Sequence, residues 1–256
     1  AIATSSNSLD ARVRALDATT GDELWTSAQG PANSINAPAM ADIDGSGEVT
    51  IVFLDAWRHV VALRADGSLR WRSSVPASDG GMYNNAFQLA DLDRDGRAEI
   101  LIGPSVFGAD GVLRWQFPAA TSEYARPLAL DLDRDGVQEV LRGGEARRAN
   151  GTLWWKTPGL VTNETIYDAY YAPIPIDGGA QMGVVASEST SKNYRLSLLR
   201  PDGTSIWRIT AGSVTRSGPP LVADFVASSP GPEIFLAATE QMYASDGRLL
   251  WTLTGT

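Results

Sequence analysis

Short apolar runs bounded by glycine, proline and aspartate recur along the whole chain, and their spacing is that of strands. Pro127-Leu128-Ala129-Leu130, Glu99-Ile100-Leu101-Ile102 and Glu233-Ile234-Phe235-Leu236 are examples. Each is too short for a helix, and no ten-residue window repeats apolar residues at helical intervals. Between the runs a hairpin phrase returns: Ala65-Asp66-Gly67-Ser68-Leu69-Arg70-Trp71, Ala109-Asp110-Gly111-Val112-Leu113-Arg114-Trp115, Ala149-Asn150-Gly151-Thr152-Leu153-Trp154-Trp155, Pro201-Asp202-Gly203-Thr204-Ser205-Ile206-Trp207 and Ser245-Asp246-Gly247-Arg248-Leu249-Leu250-Trp251. Asp-Gly and Asn-Gly favour type I′ turns, in which both central residues take positive φ, so each phrase is expected to join two antiparallel strands. Thr19-Thr20-Gly21-Asp22-Glu23-Leu24-Trp25 is an earlier copy.

The six tryptophans of these phrases are separated by 46, 44, 40, 52 and 44 residues. That interval fits four-stranded propeller blades, and the strand pattern excludes helical solenoids of similar period. The expected fold is all-β, a β-propeller of four-stranded antiparallel blades in one domain, residues 1–256. Five whole blades occupy 36–75, 85–118, 125–158, 168–210 and 217–254. Residues 1–28 align with strands B, C and D of a further, three-stranded partial blade. One strand A from outside would complete six blades, so the chain is expected to be part of a longer one or to receive a strand from another chain, because unpaired edges invite aggregation.

A second repeat lies between strands A and B. Asp91-Leu92-Asp93-Arg94-Asp95-Gly96-Arg97-Ala98-Glu99 and Asp131-Leu132-Asp133-Arg134-Asp135-Gly136-Val137-Gln138-Glu139 place carboxylates at positions 1, 3, 5 and 9. A backbone carbonyl from Arg97 or Val137 at position 7 would complete a set of hard oxygen ligands suited to calcium. The glycine at position 6 permits the sharp turn. This is not an EF-hand, because the last acid comes at position 9 rather than 12 and the flanks are strands. The first copy, residues 42–50, keeps Asp42, Asp44 and Ser46 but ends on Thr50. Ca2+ is therefore expected in the two full loops, with a third ion left open in the first. The fourth loop, residues 173–179, retains Asp177, and the fifth retains Asp224 and Glu233; neither is expected to hold metal.

These loops, each followed by a Glu-Ile or Glu-Val strand, resemble the FG-GAP/VCBS repeat family of calcium-binding propellers found in integrin α-subunits and in bacterial surface and secreted proteins. The resemblance implies structural calcium, an extracellular location, secreted or at a cell surface, and a binding, adhesion or assembly role with a carbohydrate or protein ligand. Thr50 and the fourth and fifth loops depart from the family pattern. Residues 15–25 also resemble the repeat of quinoprotein-type propellers, which include quinone dehydrogenases and outer-membrane assembly scaffolds. A propeller-type polysaccharide lyase is a further alternative, but it needs a basic and acidic cleft in a chain with few lysines.

Composition narrows the partners. A net charge of −9 and a pI near 4.6 disfavour nucleic acid and anionic membranes, although much of the acidity sits in the repeated loops. There is no cysteine, which removes disulfides and thiolate metal sites. No apolar run is long enough to span a membrane. On the face opposite the acidic loops, Tyr83, Asn85, Tyr124, Arg126, Tyr167, Tyr170, Tyr171, Arg216, Trp57 and Arg58 are candidates for sugar stacking or carboxylate recognition. The six repeat tryptophans are assigned to packing between blades. His59 is the single histidine; it is expected in a B–C turn, without a catalytic role, and no catalytic set is assigned.

Overall fold

The computed structural model describes residues 2–4, 11–33, 36–78, 86–118, 126–157, 166–190, 194–211 and 218–253. They form antiparallel sheets, with one short 3-10 turn at Asp177–Gly179. The chain divides into two compact units, Ala1–Ala119 and Ala120–Thr256.

In the first unit, a three-stranded sheet (Ile2–Thr4, Val13–Leu16, Glu23–Thr26) precedes two four-stranded ones. These are Ala39–Ala41, Thr50–Leu54, His59–Arg64, Leu69–Pro76, and Gln88–Ala90, Glu99–Ile102, Ser105–Phe107, Leu113–Gln116. The second unit holds three four-stranded sheets: Leu128–Leu130, Glu139–Arg142, Glu145–Arg147, Leu153–Lys156; Ile166–Ile176, Gln181–Thr190, Tyr194–Leu199, Ser205–Ala211; and Pro220–Ala223, Glu233–Leu236, Gln241–Tyr243, Leu249–Thr252. Every sheet is a meander of sequential strands, so five are whole propeller blades in the order A, B, C, D, and among the described residues the first sheet has three strands, corresponding to B, C and D.

Strand B is more deeply buried than simple alternation implies. Ile51 and Phe53 pack with Val13 and Ala11 on one side of their sheet, while Val52 and Leu54 pack with Ile100, Ile102 and Phe107 on the other. A blade has neighbours on both faces, so its inner strands need apolar side chains in both directions. In the second unit, Val185, Leu196, Leu198, Ile234 and Leu236 form the corresponding layer.

The tryptophans join blade to blade within each unit. Trp25 Nε1 donates to the carbonyl of Ala65 at 3.0 Å, Trp155 to Pro201 at 2.8 Å and Trp207 to Ser245 at 2.8 Å. Each ring lies over the turn glycine of the next blade. A Cβ at Gly67, Gly111, Gly203 or Gly247 would come within 2.7, 2.5, 2.5 and 2.9 Å of Trp25, Trp71, Trp155 and Trp207.

The hairpins are not type I′. Only the glycine takes positive φ, as at Gly67 (82°) and Gly203 (82°). Gly67 N–H bonds the Arg64 carbonyl and Arg64 N–H bonds the Ser68 carbonyl, which is a type I turn followed by a glycine bulge. The aspartate is there to accept: Oδ1 of Asp66, Asp110, Asp202 and Asp246, and the corresponding oxygen of Asn150, each take the N–H two residues on, at 2.9 to 3.1 Å.

The fourth A–B connection is also not a loop of the expected kind. Residues 166–176 and 181–190 are long paired strands joined by the Asp177–Gly179 turn. Pro173 and Pro175 are tolerated because this strand is the edge of its sheet.

Gly111→Ala should cost roughly 2 kcal/mol or more, because it adds a clash with Trp71 to the strain at φ 76°. Gly21, at φ 78°, has nothing within 4 Å, so Gly21→Ala should cost only the conformational part. Denaturant unfolding of the two variants checks this; equal losses would remove the role of the tryptophan contact.

Candidate functional site

The acidic A–B loops are held open by two left-handed residues each. Position 6 is Gly47, Gly96 or Gly136, and position 4 is Gly45, Arg94 or Arg134, all at positive φ. An arginine in this region costs about 1–2 kcal/mol. At position 2, Ile43, Leu92 and Leu132 are buried and anchor the loop in the core. Arg134 spans to the next blade, donating to the Ala180 carbonyl at 2.9 Å and the Gly179 carbonyl at 3.1 Å.

In the two full loops the last glutamate has a divided task. Oε2 of Glu99 accepts from Leu92 N–H, and Oε2 of Glu139 from Leu132 N–H, both at 3.0 Å. Asp91 Oδ2 and Asp131 Oδ2 likewise accept from Gly96 and Gly136 N–H at 3.0 and 2.9 Å. Asp91 Oδ1 and Asp131 Oδ1 are buried without a hydrogen-bond partner. Asp91, Asp93 and Glu99 each offer an oxygen within 4.8 Å of the others, and so do Asp131, Asp133 and Glu139. These two triplets can hold a metal ion. Asp95 and Asp135 stand in the same loops, where each takes the N–H two residues on, from Arg97 at 2.8 Å and Val137 at 2.7 Å.

The charge state reflects this crowding. Burial pushes the Glu99 carboxyl up, and Asp93, Asp95 and Asp91 push it the same way. Burial also pushes Glu139 up. Burial opposes ionisation of Asp133 too, but the hydrogen bond and charge of Arg148, together with backbone N–H donation from Asp135, outweigh it and hold that carboxyl below its usual range. Arg148 Nη1 reaches both Asp133 Oδ2 and Glu139 Oε1 at 2.7 Å, and its guanidinium lies 3.8 Å from the centre of the Trp154 ring.

The first loop closes on itself. Both Asp42 oxygens accept backbone N–H groups, from Ser46 at 3.1 Å and Gly47 at 2.7 Å. Asp44 takes the Ser46 hydroxyl at 2.7 Å and the Arg70 guanidinium, and Arg70 also donates to Thr50 Oγ1 at 2.5 Å. The Ser46 hydroxyl first, and Arg70 with it, hold Asp44 below its usual range. Glu233 of the fifth loop keeps only the clamp, accepting from Phe225 and Val226 N–H at 2.8 and 2.9 Å.

On the opposite face, Trp57 is 60% exposed at the tip of a turn fixed by Asp55. Asp55 Oδ1 accepts from Trp57 and His59 N–H, both at 2.9 Å, and Oδ2 pairs with Arg72 at 2.6 Å. Arg58 occupies the same turn at φ 68°. His59 Nδ1 faces the Ser73 carbonyl at 2.7 Å, so its ring is tied to the fold. Arg126 lies over Tyr170, 5.5 Å from the ring centre. Tyr171 is not available to a ligand: its hydroxyl accepts from Gly144 N–H at 2.8 Å and its ring packs in the core. Tyr83, Asn85, Tyr124 and Arg216, with the side chain of Tyr167, lie outside the described residues.

Two features escaped the sequence reading. Buried charges gather at the B and C strand ends of the second unit. Arg142, Glu145 and Glu188 are each 1% exposed, and Glu145 pairs with Arg147 at 2.8 Å and Lys156 at 2.5 Å. Aligning the blades would have exposed them, since Arg142 and Glu145 stand where the preceding blade has Ile102 and Ser105. The second feature is a cavity of about 490 Å³ lined by Ile176, Asp177, Leu198, Ile206, Pro232 and Asp246, where the fourth and fifth loops keep only part of the acidic set.

The family model of the outer membrane protein assembly factor BamB matches residues 3–98. No curated protein matches the chain. Among solved structures, the V. cholerae biofilm matrix protein Bap1 is 25% identical with a TM-score of 0.65, over 88% of this chain and 38% of that one. A rhamnogalacturonan lyase of Bacillus licheniformis is 15% identical at a TM-score of 0.52, over 94% and 65%. The Dos1 propeller is 13% identical at 0.50, over 90% and 57%. The latter two likenesses concern the β-propeller fold alone. The chain spans less than two thirds of each of these structures.

Burial pushes the Glu188 carboxyl from 4.5 up to about 7, against the pull of Arg195 and Arg208. Between these values the folded state keeps a proton that the unfolded chain has released, so stability falls as pH rises through the window. In chelator, Glu188→Gln should flatten that part of the stability profile. An unchanged slope would assign it to other groups.

Proposed function

We propose that this chain is a calcium-stabilised β-propeller of the FG-GAP/VCBS kind, acting as an extracellular binding or assembly module. The observation that carries this reading is the convergence of Asp91, Asp93 and Glu99, and of Asp131, Asp133 and Glu139, around buried aspartate oxygens that lack a hydrogen-bond donor. Three carboxylates turned inward in one tight turn call for a hard divalent cation, and an all-oxygen donor set with backbone carbonyls close by suits calcium. The ion would tie strand A to strand B in each of these two blades. It would serve the fold, while the ligand, a carbohydrate or a protein, would meet the opposite face. In the first unit exposed Trp57 supplies stacking on that side of its blade, and in the second unit the Arg126–Tyr170 pair supplies charge and stacking of its own.

The likeness to a biofilm matrix protein supports a matrix or surface setting. The assembly-factor match over residues 3–98 reaches beyond the single phrase at 15–25 that first suggested it, and it favours a protein partner as the second reading.

Asp93→Ala should lower the melting temperature in calcium and change little in chelator. The difference should approach about 2.7 kcal/mol when calcium exceeds Kd roughly a hundredfold. Equal losses in both conditions would mean that the loop works without metal. Glycan-array binding by the protein should require Trp57 and weaken in chelator only as far as the fold loosens. Unsaturated product from an acidic polysaccharide would instead establish a lyase.

A further inference from the structure

The three acidic loops differ in what already neutralises them, and two arginines make the difference. Counting back from the tryptophan of each hairpin, Arg70 corresponds to Arg114 and to Trp154, while Arg64 corresponds to Gly108 and to Arg148. In the blade of loop 42–50, Arg64 donates across its own turn to the Leu69 carbonyl at 2.9 Å. Arg70 goes instead to Asp44 and Thr50. In the blade of loop 91–99, the first of these positions is Gly108. Arg114 lies down over it, so closely that a Cβ there would come within 2.4 Å of the guanidinium, and ends on both oxygens of Asp110 at 3.1 Å. In the blade of loop 131–139, Arg148 turns to Asp133 and Glu139 and rests on Trp154.

Resting on the calcium reading above, we infer that Arg70 is the built-in cation of loop 42–50, and that Arg148 is a tethered competitor for the metal of loop 131–139, leaving loop 91–99 the tight calcium site. A guanidinium and a metal ion cannot share the same carboxylate lone pairs. Loop 42–50 has lost the position-9 acid, and its Asp42 and Asp44 oxygens are all engaged by N–H, hydroxyl or guanidinium donors. Thr50 is thus not a degraded glutamate. Its hydroxyl accepts from the same arginine that replaces the ion. Loop 131–139 keeps Asp131, Asp133, Asp135 and Glu139 against the single charge of Arg148, so it still attracts a divalent ion. The ion must first take Asp133 and Glu139 from Arg148, and the Trp154 ring retains the released guanidinium. Calcium entry there is coupled to a side-chain movement that loop 91–99 does not require.

Calorimetric titration of the chelator-stripped chain with calcium tests this. The wild type should take up two ions, one tight and one weaker. Arg148→Ala should tighten the weaker site about tenfold, the scale on which neighbours of metal ligands act, and leave the tight one unchanged. Arg148→Met, which keeps a stem over Trp154, should do the same if the alanine variant folds poorly. Glu99→Gln should abolish the tight site alone. Arg70→Ala should lower the melting temperature equally in calcium and in chelator. Three ions in the wild type, or an unmoved weaker site in both Arg148 variants, would overturn the inference while leaving calcium binding intact. No uptake at all would instead refute the calcium reading itself.

Discussion

Carboxylates forced together in a turn are the constraint on which these blades depend. In the three blades with acidic A–B loops, strand A is only three residues long, as at Ala39–Ala41, Gln88–Ala90 and Leu128–Leu130. Three residues supply too few ladder hydrogen bonds to hold a strand against solvent. The loop acids make up the deficit by accepting N–H groups from the turn, so the same oxygens that define the turn also concentrate negative charge in it. Counter-charge is then a condition of the fold.

The blade that lost its acidic loop took another course. Residues 166–176 pair with 181–190 over almost their whole length, and a compact Asp177–Gly179 turn closes the hairpin without a charge cluster. Strand length and loop charge therefore replace one another. The last blade lies between, with a four-residue strand A and one glutamate, Glu233, clamping the turn. Variation among the copies is a set of different solutions to one problem, which gives the two units different faces from a common repeat.

Much of this was legible in the sequence because repetition multiplies weak signals. One Asp-Gly pair is a turn; four of them and Asn150-Gly151, at a period set by tryptophan, are blades, and the acids at alternate positions mark the A–B turn of the acidic blades. What stayed hidden depends on three-dimensional room. The left-handed conformations of Arg94 and Arg134 are invisible because arginine carries no preference for them, and only the equivalence with Gly45 betrays the position. The turn type was misread because aspartate favours a hairpin for two reasons, positive φ and side-chain acceptance, and here the second operates. The destination of each arginine was unreadable because it turns on whether a neighbour is Gly108 or Arg64.

The central claim is that calcium, not hydrogen bonding alone, neutralises the full loops. A crystal structure from calcium-containing solution, with anomalous scattering measured at the loops, tests it most directly. The account predicts an ion in loop 91–99 at about 2.3–2.6 Å from oxygens of Asp91, Asp93 and Glu99, and none in loop 42–50. Loop 91–99 closed on water or on an arginine, with no anomalous peak, would contradict it.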